Sequence, residues 1–214
     1  MERLTEIESH RILKKHGISF PKSKLVQSVA DAVAFAEKIE YPVVLKVMSS
    51  DLLHKTEAGA IATHVWSLPD LQYKYAEILS NSKNYKPDAK IDGVLVEKQA
   101  FGVELIVGSS IDSLFGHTLM LGSGGVFAEV LRDTSFRVIP VAEKDAITMV
   151  RDLKALPLLK GFRGSNPVNF KALVKTLLSV SKMVEKEDIS ELDINPLIVN
   201  EQGAIAADAR IVFS

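Results

Sequence analysis

Two residues with oxygen-bearing side chains lie the same number of positions before and after one predicted turn near the end of the sequence. The segment LDINPLIVNEQGAIAADAR, residues 192–210, has the pattern of a hairpin whose turn is NEQG, residues 200–203. If the two ends of that turn face each other, Asn195 faces Asp208 on the neighbouring strand. Amide and carboxylate oxygens suit Mg²⁺, which takes few protein ligands and adds water and phosphate oxygens. The alternative is that Asn195 makes a turn before Pro196 and that Asp208 is only exposed.

The predicted register has a further consequence and a weakness. It places Asp193 opposite Arg210, two positions further from the turn. A slip of one residue would send Asn195 and Asp208 to opposite faces of the sheet. The magnesium prediction therefore depends on the register of this hairpin.

A single lysine interrupts the apolar run VVLKVM, residues 43–48. Lys46 shares one strand face with Val44 and Met48. Burial of an unpaired ammonium is costly, so Lys46 either lies on an edge strand with its charge in water or points into a site that holds negative charge. Phosphate is the obvious anion for such a site.

A polar loop, SSDLLHKTEAGA, follows that strand and contains His54. A histidine in such a loop is usually a surface residue. It could also bind phosphate, act as an acid or base, or accept a phosphoryl group as a nucleophile.

Two glycine-rich segments could contact phosphate through backbone and side-chain groups. LGSGGVF contains Gly124 and Gly125, and glycine lets backbone N–H groups approach an anion closely. The sequence has no G-x-x-x-x-G-K-[ST] motif. Glu129 follows this segment. Arg163, in KGFRGSNP, could meet a γ-phosphate, or it could be solvated like most loop arginines.

Composition limits the classes of function. The 214 residues suit one large domain or two small subdomains, and 47% are hydrophobic and 25% charged. The net charge of −1 indicates no long-range attraction to nucleic acid or to an anionic membrane. The absence of cysteine excludes disulfides and thiolate metal sites. No apolar stretch approaches the roughly 18 residues that span a bilayer, and we expect a cytoplasmic protein.

Helices and strands alternate irregularly, which predicts an α+β (mixed α/β) fold rather than a doubly wound sheet. A capping box of Thr5 and Glu8 opens a first helix over residues 5–16. Further helices are predicted from caps at Ser28, Ser67 and Asn166, and the strands include VVLKVM, DGVLVEKQ, VELIVGSS, GHTLMLG and FRVIPV. We expect one domain over residues 1–214. Its approximate subdomains are residues 18–98 and 99–214, with the first helix packed on the body.

Taken together, the motifs resemble those of ATP-grasp domains. More narrowly, the chain is similar to β subunits of ADP-forming acetyl-CoA synthetase (acetate–CoA ligase), which are related to succinyl-CoA synthetase β subunits. The matching segments run in order through nearly the whole chain: YPVVLKV, SSDLLHKTEAGA, GVLVEKQ, VELIVG, GSGGVFAEVLRDTSFRVIPV, LLKGFRG and ELDINPLIV…AADARI.

The resemblance implies an ATP-grasp fold with nucleotide between two α+β subdomains. It implies that Lys46 contacts the α- and β-phosphates, that Glu104 holds the ribose hydroxyls, and that Asn195 and Asp208 bind Mg²⁺. It also implies that His54 helps to pass phosphate to the nucleotide. The implied adenine hinge consists of Val96, Glu97 and Gln99.

The implied reaction is acyl-CoA + ADP + phosphate ⇌ carboxylic acid + ATP + CoA, with a phosphohistidine as phosphoryl carrier. The resemblance implies that the acyl-CoA site and the main carrier histidine belong to an α subunit. The chain has no Rossmann fingerprint for CoA, so we expect a CoA-binding α subunit as partner, in an α₂β₂ heterotetramer. Two alternatives stay open: another ATP-grasp carboxylate ligase, which would not need His54 as a carrier, and a nucleotide-binding regulatory module without catalysis.

Overall fold

The computed structural model describes residues 4–52, 54–125 and 132–213. The chain divides into two compact units: a small unit, Pro21–Gln99, and a large unit, Met1–Phe20 with Ala100–Ser214. Antiparallel sheets with helices beside them confirm the predicted α+β class. In chain order the elements are α1 (Glu6–Lys15), β1 (Ser23–Val26), α2 (Val29–Ile39), β2 (Val43–Met48), β3 (Ile61–Val65), α3 (Leu68–Tyr85), β4 (Gly93–Lys98), β5 (Val103–Asp112), β6 (Gly116–Ser123), β7 (Thr134–Val138), α4 (Glu143–Asp152), α5 (Leu156–Leu159), α6 (Phe170–Lys186), β8 (Ile189–Val199), β9 (Ala204–Ala206) and β10 (Ala209–Phe213).

The small unit contains a four-stranded antiparallel sheet in the order β1-β4-β2-β3. Every residue of β2 is buried, which confirms the prediction of a buried strand for VVLKVM. The hydroxyl of Ser28 accepts a hydrogen bond at the start of α2, and that of Ser67 does so at the start of α3, so both predicted caps are confirmed. Helix α3 runs from Leu68, directly after Ser67, to Tyr85.

The large unit contains a six-stranded sheet in the order β10-β8-β5-β6-β7, in which β9 also pairs with β8. Apolar side chains of α4 and α6 join those of the sheet in one hydrophobic core. Strand β7 spans Thr134–Val138, so it starts and ends earlier than the predicted FRVIPV. Pro140 explains the early end, because proline has no N–H to donate to a ladder. No helix among the described residues is long and apolar enough to cross a membrane.

The first helix has the predicted capping box. The Thr5 hydroxyl accepts from the backbone N–H of Glu8, and the Glu8 carboxylate accepts from the backbone N–H of Thr5 at 2.8 Å. The helix ends before Gly17, whose φ of +73° suits glycine. This helix belongs to the large unit, where Leu4 N–H donates to the carbonyl of Ile211 in β10.

The predicted cap at Asn166 is wrong. Helix α6 starts four residues later, and its cap is Asn169, whose side chain accepts a backbone hydrogen bond in the first turn. The Asn166 side chain instead donates to the Glu201 carboxylate at 2.6 Å. The residues between the two asparagines stay outside the helix because the N–H of Val168 donates to the carbonyl of Leu159.

Glu187 joins the end of α1 to the end of α6 and predicts a pH dependence of stability. Hydrogen bonds from Lys15 at 2.8 Å and His16 at 2.9 Å lower the pKa of the Glu187 carboxyl from 4.5 to about 2. A lowered folded-state pKa stabilises the chain above the unfolded-state value, and that stabilisation is lost as the pH falls from 4.5 towards about 2. We expect Glu187→Gln to lower the melting temperature at pH 7 and to match the wild type near pH 2. Thermal unfolding across this range measures the difference, and a gap that is independent of pH would contradict the assignment.

Candidate functional site

The hairpin that ends the chain has the predicted register. Leu197 pairs with Ala206 in β9, and β10 resumes the same register after a two-residue break. Asn195 therefore lies opposite Asp208, and the N–H of Asn195 donates to the carbonyl of Asp208 at 3.1 Å. Asn195 is exposed and Asp208 is half-buried. The backbone thus brings the two predicted magnesium ligands to one place.

Asp193 provides a second carboxylate near Asn195 and Asp208. It pairs with Arg210 in the register that the sequence predicted. Burial raises the pKa of the Asp193 carboxyl, and the charge of Asp208 raises it further, while Arg210 lowers it. The two carboxylates are therefore close enough to repel each other. Sequence reasoning did not include Asp193 in the site, although its position two residues before Asn195 on the same strand was the available signal.

The donor groups around Asn195 fit a hard divalent cation. Two carboxylates and one amide offer oxygen atoms as metal ligands, and Mg²⁺ binds oxygen in preference to sulfur or imidazole nitrogen. A bound cation would also relieve the repulsion that raises the pKa of Asp193. We call Asn195, Asp208 and Asp193 the oxygen cluster.

Lys46 is buried and lies on a central strand of its sheet, not at a sheet edge. Its strand, β2, runs between β4 and β3, and Glu97 on β4 lies opposite Val44. Lys46 and Glu97 are therefore diagonal neighbours on one sheet face. The Lys46 ammonium lies 2.7 Å from a Glu97 carboxylate oxygen, and the two side chains are 6% and 2% exposed. The solvated alternative for Lys46 is wrong, and the anionic partner that burial required includes Glu97.

The predicted adenine hinge is the end of β4 and the residue that follows it. Val96 is buried, and the side chain of Glu97 contacts Lys46. Gln99 follows the strand; its N–H donates to the carbonyl of Pro42, and its side-chain oxygen accepts from the N–H of His64. Glu97 and Gln99 thus make side-chain or backbone contacts with other residues of the small unit.

His54 lies in an exposed loop of the small unit. Its side chain is 65% exposed, and its Nδ1 lies 3.8 Å from a carboxylate oxygen of Glu57. The loop needs glycine at Gly59, where φ is +58°. The next residue, Ala60, is fully buried, and its N–H donates to the carbonyl of Lys55 at 2.8 Å. A backbone hydrogen bond thus closes the loop at Ala60, while the His54 imidazole is exposed to solvent.

In the large unit, Glu104 and Gly124 line a cavity of about 310 Å³. The Gly124 N–H donates to the carbonyl of Glu104 at 2.8 Å, and a Cβ atom at Gly124 would lie only 2.8 Å from that carbonyl group. Close backbone approach therefore requires glycine there. The next residue, Gly125, has a φ of +75°. The other described residues that line the cavity are Val103, Ser123, Ala155, Leu158, Phe162 and Ser165.

Arg163 lies directly beside a residue that lines this cavity. It has a φ of +54°, and Gly161 and Gly164 on either side also have positive φ. Its guanidinium carbon lies 5.3 Å from the centre of the Phe162 ring, and Phe162 lines the cavity. The glycine-flanked loop thus holds a cation beside Phe162, one of the residues that line the cavity. Glu129, named from the sequence, lies outside the described residues.

The sequence is similar to known proteins over nearly its whole length. Residues 1–213 match the profile of the family described as ATP-grasp domain. The chain is 42% identical to the β subunit of acetate–CoA ligase (ADP-forming) II from Pyrococcus furiosus, over 98% of the chain and 91% of that protein. It is 41% identical to acetate–CoA ligase (ADP-forming) I from Archaeoglobus fulgidus, over 99% of the chain but only 31% of that longer protein.

The fold also matches solved structures of dinucleotide forming acetyl-coenzyme A synthetase 1 from Candidatus Korarchaeum cryptofilum. With coenzyme A, Ca-AMPCP and HgCl⁺ bound, that protein matches at a TM-score of 0.92 and 40% identity, over 100% of this chain and 94% of the matched chain. With coenzyme A and Mg-AMPPCP bound, and its phosphohistidine segment pointing towards the nucleotide site, it matches at 0.83 and 37%, over 99% and 93%.

Proposed function

Because the chain belongs to the ATP-grasp domain family, we propose that it is the nucleotide-binding β subunit of an ADP-forming acyl-CoA synthetase, an acid–thiol ligase. The reaction is acyl-CoA + ADP + phosphate ⇌ carboxylic acid + ATP + CoA. The observation that carries the proposal is the pairing of Asn195 with Asp208 in a chain that is 42% identical to such a β subunit. The hairpin then supplies the magnesium ligands that phosphoryl transfer to ADP requires.

The proposal assigns each contact with the nucleotide to a residue named from the sequence. Lys46 contacts the α- and β-phosphates, and Glu104 accepts hydrogen bonds from the ribose hydroxyls. The tight turn at Gly124 and Gly125 lies against the phosphates, with the Gly125 N–H as the donor to a phosphate oxygen, and Arg163 neutralises charge on the transferring group. The adenine lies at the hinge, which consists of Val96, Glu97 and Gln99.

The oxygen cluster would hold Mg²⁺. The cation supplies positive charge that neutralises phosphate oxygens as the phosphoryl group moves. Asn195 and Asp208 orient that charge because both are fixed by the hairpin register. In one structure of the Korarchaeum relative the bound nucleotide analogue is Mg-AMPPCP, which supports magnesium as the cation.

We propose that the phosphoryl group reaches ADP by way of histidine. Phosphate first displaces CoA from the acyl group, giving an acyl phosphate and free CoA. A histidine nitrogen of the α subunit then takes the phosphoryl group and releases the carboxylic acid. His54 displaces that nitrogen and takes the phosphoryl group, and a β-phosphate oxygen of ADP finally displaces the His54 nitrogen. His54 serves as a carrier in this chain, and its 65% exposed side chain is open to a phosphorylated partner segment.

The chain needs a partner that binds CoA. The Archaeoglobus relative matches this chain over only 31% of its length, so most of that protein lies outside the region shared with this chain. We propose that a separate α subunit supplies the CoA site here, in an α₂β₂ assembly. Co-purification of a CoA-binding subunit, identified by mass, would support the partner. A chain that purifies alone and still makes ATP from acyl-CoA would contradict it.

His54→Asn tests the carrier role. We expect the rate of ATP formation by the assembled enzyme to fall at least about 10³-fold, because asparagine cannot accept a phosphoryl group. Mg·ADP affinity should stay within about twofold, since the imidazole is not assigned to nucleotide binding. Initial rates and isothermal titration measure the two quantities.

His64→Asn is the matched control for this variant. His64 is also exposed and lies in the same unit, and its φ of +57° is one that asparagine accepts well. We expect its rate to equal that of the wild type. Near-full turnover by His54→Asn would instead favour another ATP-grasp ligase, which has no use for this histidine.

A further inference from the structure

One buried carboxylate holds two walls of the cavity that contains Glu104. Asp133 lies just before β7 and is 4% exposed. Its Oδ1 accepts from the N–H of Lys154 at 2.6 Å, and its Oδ2 accepts from the N–H of Ala155 at 2.9 Å. Its backbone carbonyl accepts from the N–H of Ser123 at 3.0 Å. Asp133 therefore connects the end of β6 to the turn that precedes α5.

The residues at both ends of this connection line the cavity. Ser123 lies on one wall, beside Gly124, and Ala155 lies on another, in the same segment as Leu158 and Phe162. Asp133 itself is not among the lining residues. Each of its two carboxylate oxygens binds a backbone N–H, and hydrogen bonds to a charged acceptor are short and strong. The spacing of the two walls therefore depends on the Asp133 carboxylate.

We propose that Asp133 is a positioning residue for nucleotide binding, which fixes the spacing between the Ser123–Gly124 wall and the Ala155–Phe162 wall around the ribose-binding Glu104. This inference rests on the proposed function, because that function assigns ADP to the site. Asp133 acts through the backbone of Lys154 and Ala155 and does not touch the nucleotide. Its loss should weaken binding more than it slows phosphoryl transfer.

Asp133→Asn tests the inference with little change of shape. Asparagine can accept only one of the two N–H groups with its oxygen, and its amide then faces the other donor. In the enzyme assembled with its CoA-binding partner, we expect the Kd and KM for Mg·ADP to rise about tenfold and kcat to change less than about threefold. A variant with a lower melting temperature but unchanged Kd and KM would overturn the inference.

Glu187→Gln is the matched control. It makes the same change from carboxylate to amide and also disturbs two hydrogen bonds, those from Lys15 and His16, in the same unit. Neither Glu187 nor its partners line the cavity. We expect this control to lose stability at pH 7 and to bind Mg·ADP with the affinity of the wild type. Equal weakening in both variants would show a general loss of stability and would overturn a specific role for Asp133.

Asp133→Ser is the second variant if the asparagine variant does not fold. Serine keeps one acceptor in a smaller side chain, and the same rise in Kd and KM is expected. If neither variant folds while Glu187→Gln does, Asp133 is a requirement of folding and the positioning role is overturned. Failure of the wild type to bind Mg·ADP would instead overturn the proposed function on which the inference rests.

Discussion

Lys46→Met is expected to lower the free energy of unfolding by about 3–5 kcal/mol and to abolish ATP formation. The variant leaves the Glu97 carboxylate, 2% exposed, without the ammonium that lies 2.7 Å away. Removing one partner of a buried ion pair costs this much because the other charge stays buried and loses a close counter-charge. It also removes the cation proposed to contact the α- and β-phosphates. Urea unfolding and initial rates in the assembled enzyme measure the two effects.

Two further variants separate these effects. Lys24→Met makes the same substitution at an exposed position in the same sheet, and it should change stability by less than about 0.5 kcal/mol. Lys46→Met/Glu97→Met leaves no unpaired charge of this pair, so it should recover most of the lost stability. The double variant should remain inactive. Recovery of both stability and activity would show that Lys46 has only a structural role.

Asp208→Asn is expected to lower kcat about 10²–10³-fold at saturating ADP. The change removes one negative charge from the oxygen cluster, and so weakens the hold on the cation that must neutralise the transferring phosphoryl group. Raising the magnesium concentration should recover part of the activity, because the remaining oxygen donors still bind the cation. Initial rates across a magnesium series measure this.

Asp88→Asn is the control for Asp208→Asn. Asp88 is exposed and lies in the small unit, so the same loss of charge should leave kcat and the magnesium dependence unchanged. An Asp208→Asn variant with the kcat and magnesium dependence of the wild type would show that Asp208 is not a metal ligand.

The sequence predicted the oxygen cluster in part because the hairpin is local. The turn over residues 200–203 determines which residues pair, so the position of Asn195 opposite Asp208 followed from chain numbering and strand geometry. The repulsion between Asp193 and Asp208 did not follow, because it depends on burial, which is set by the whole sheet. The same limit explains why the sequence left both a solvated and an anionic alternative open for Lys46 and did not identify Glu97. Glu97 is 51 positions away along the chain, on β4, which pairs with β1 and β2 and not with the strands next to it in sequence.

The helix caps likewise separate into those set by local sequence, which were predicted correctly, and one set by a long-range contact, which was not. Ser28 and Ser67 were correct because each stands alone before an apolar helical pattern. Asn166 was wrong because Asn169 follows three residues later, and a long-range hydrogen bond from Val168 to Leu159 decides where the helix starts. Asp133 carries no motif, and its three backbone partners come from β6 and from the segment between α4 and α5.

The most direct test of the central claim measures ATP formation by this chain assembled with its CoA-binding partner. The reaction contains acetyl-CoA, ADP, phosphate and Mg²⁺, and each is left out in turn. We predict that ATP appears only when all four are present, at a rate equal to the release of CoA, and that none appears with Lys46→Met. ATP formation that does not require phosphate or acetyl-CoA, or nucleotide binding without turnover in the assembly, would contradict the proposed function.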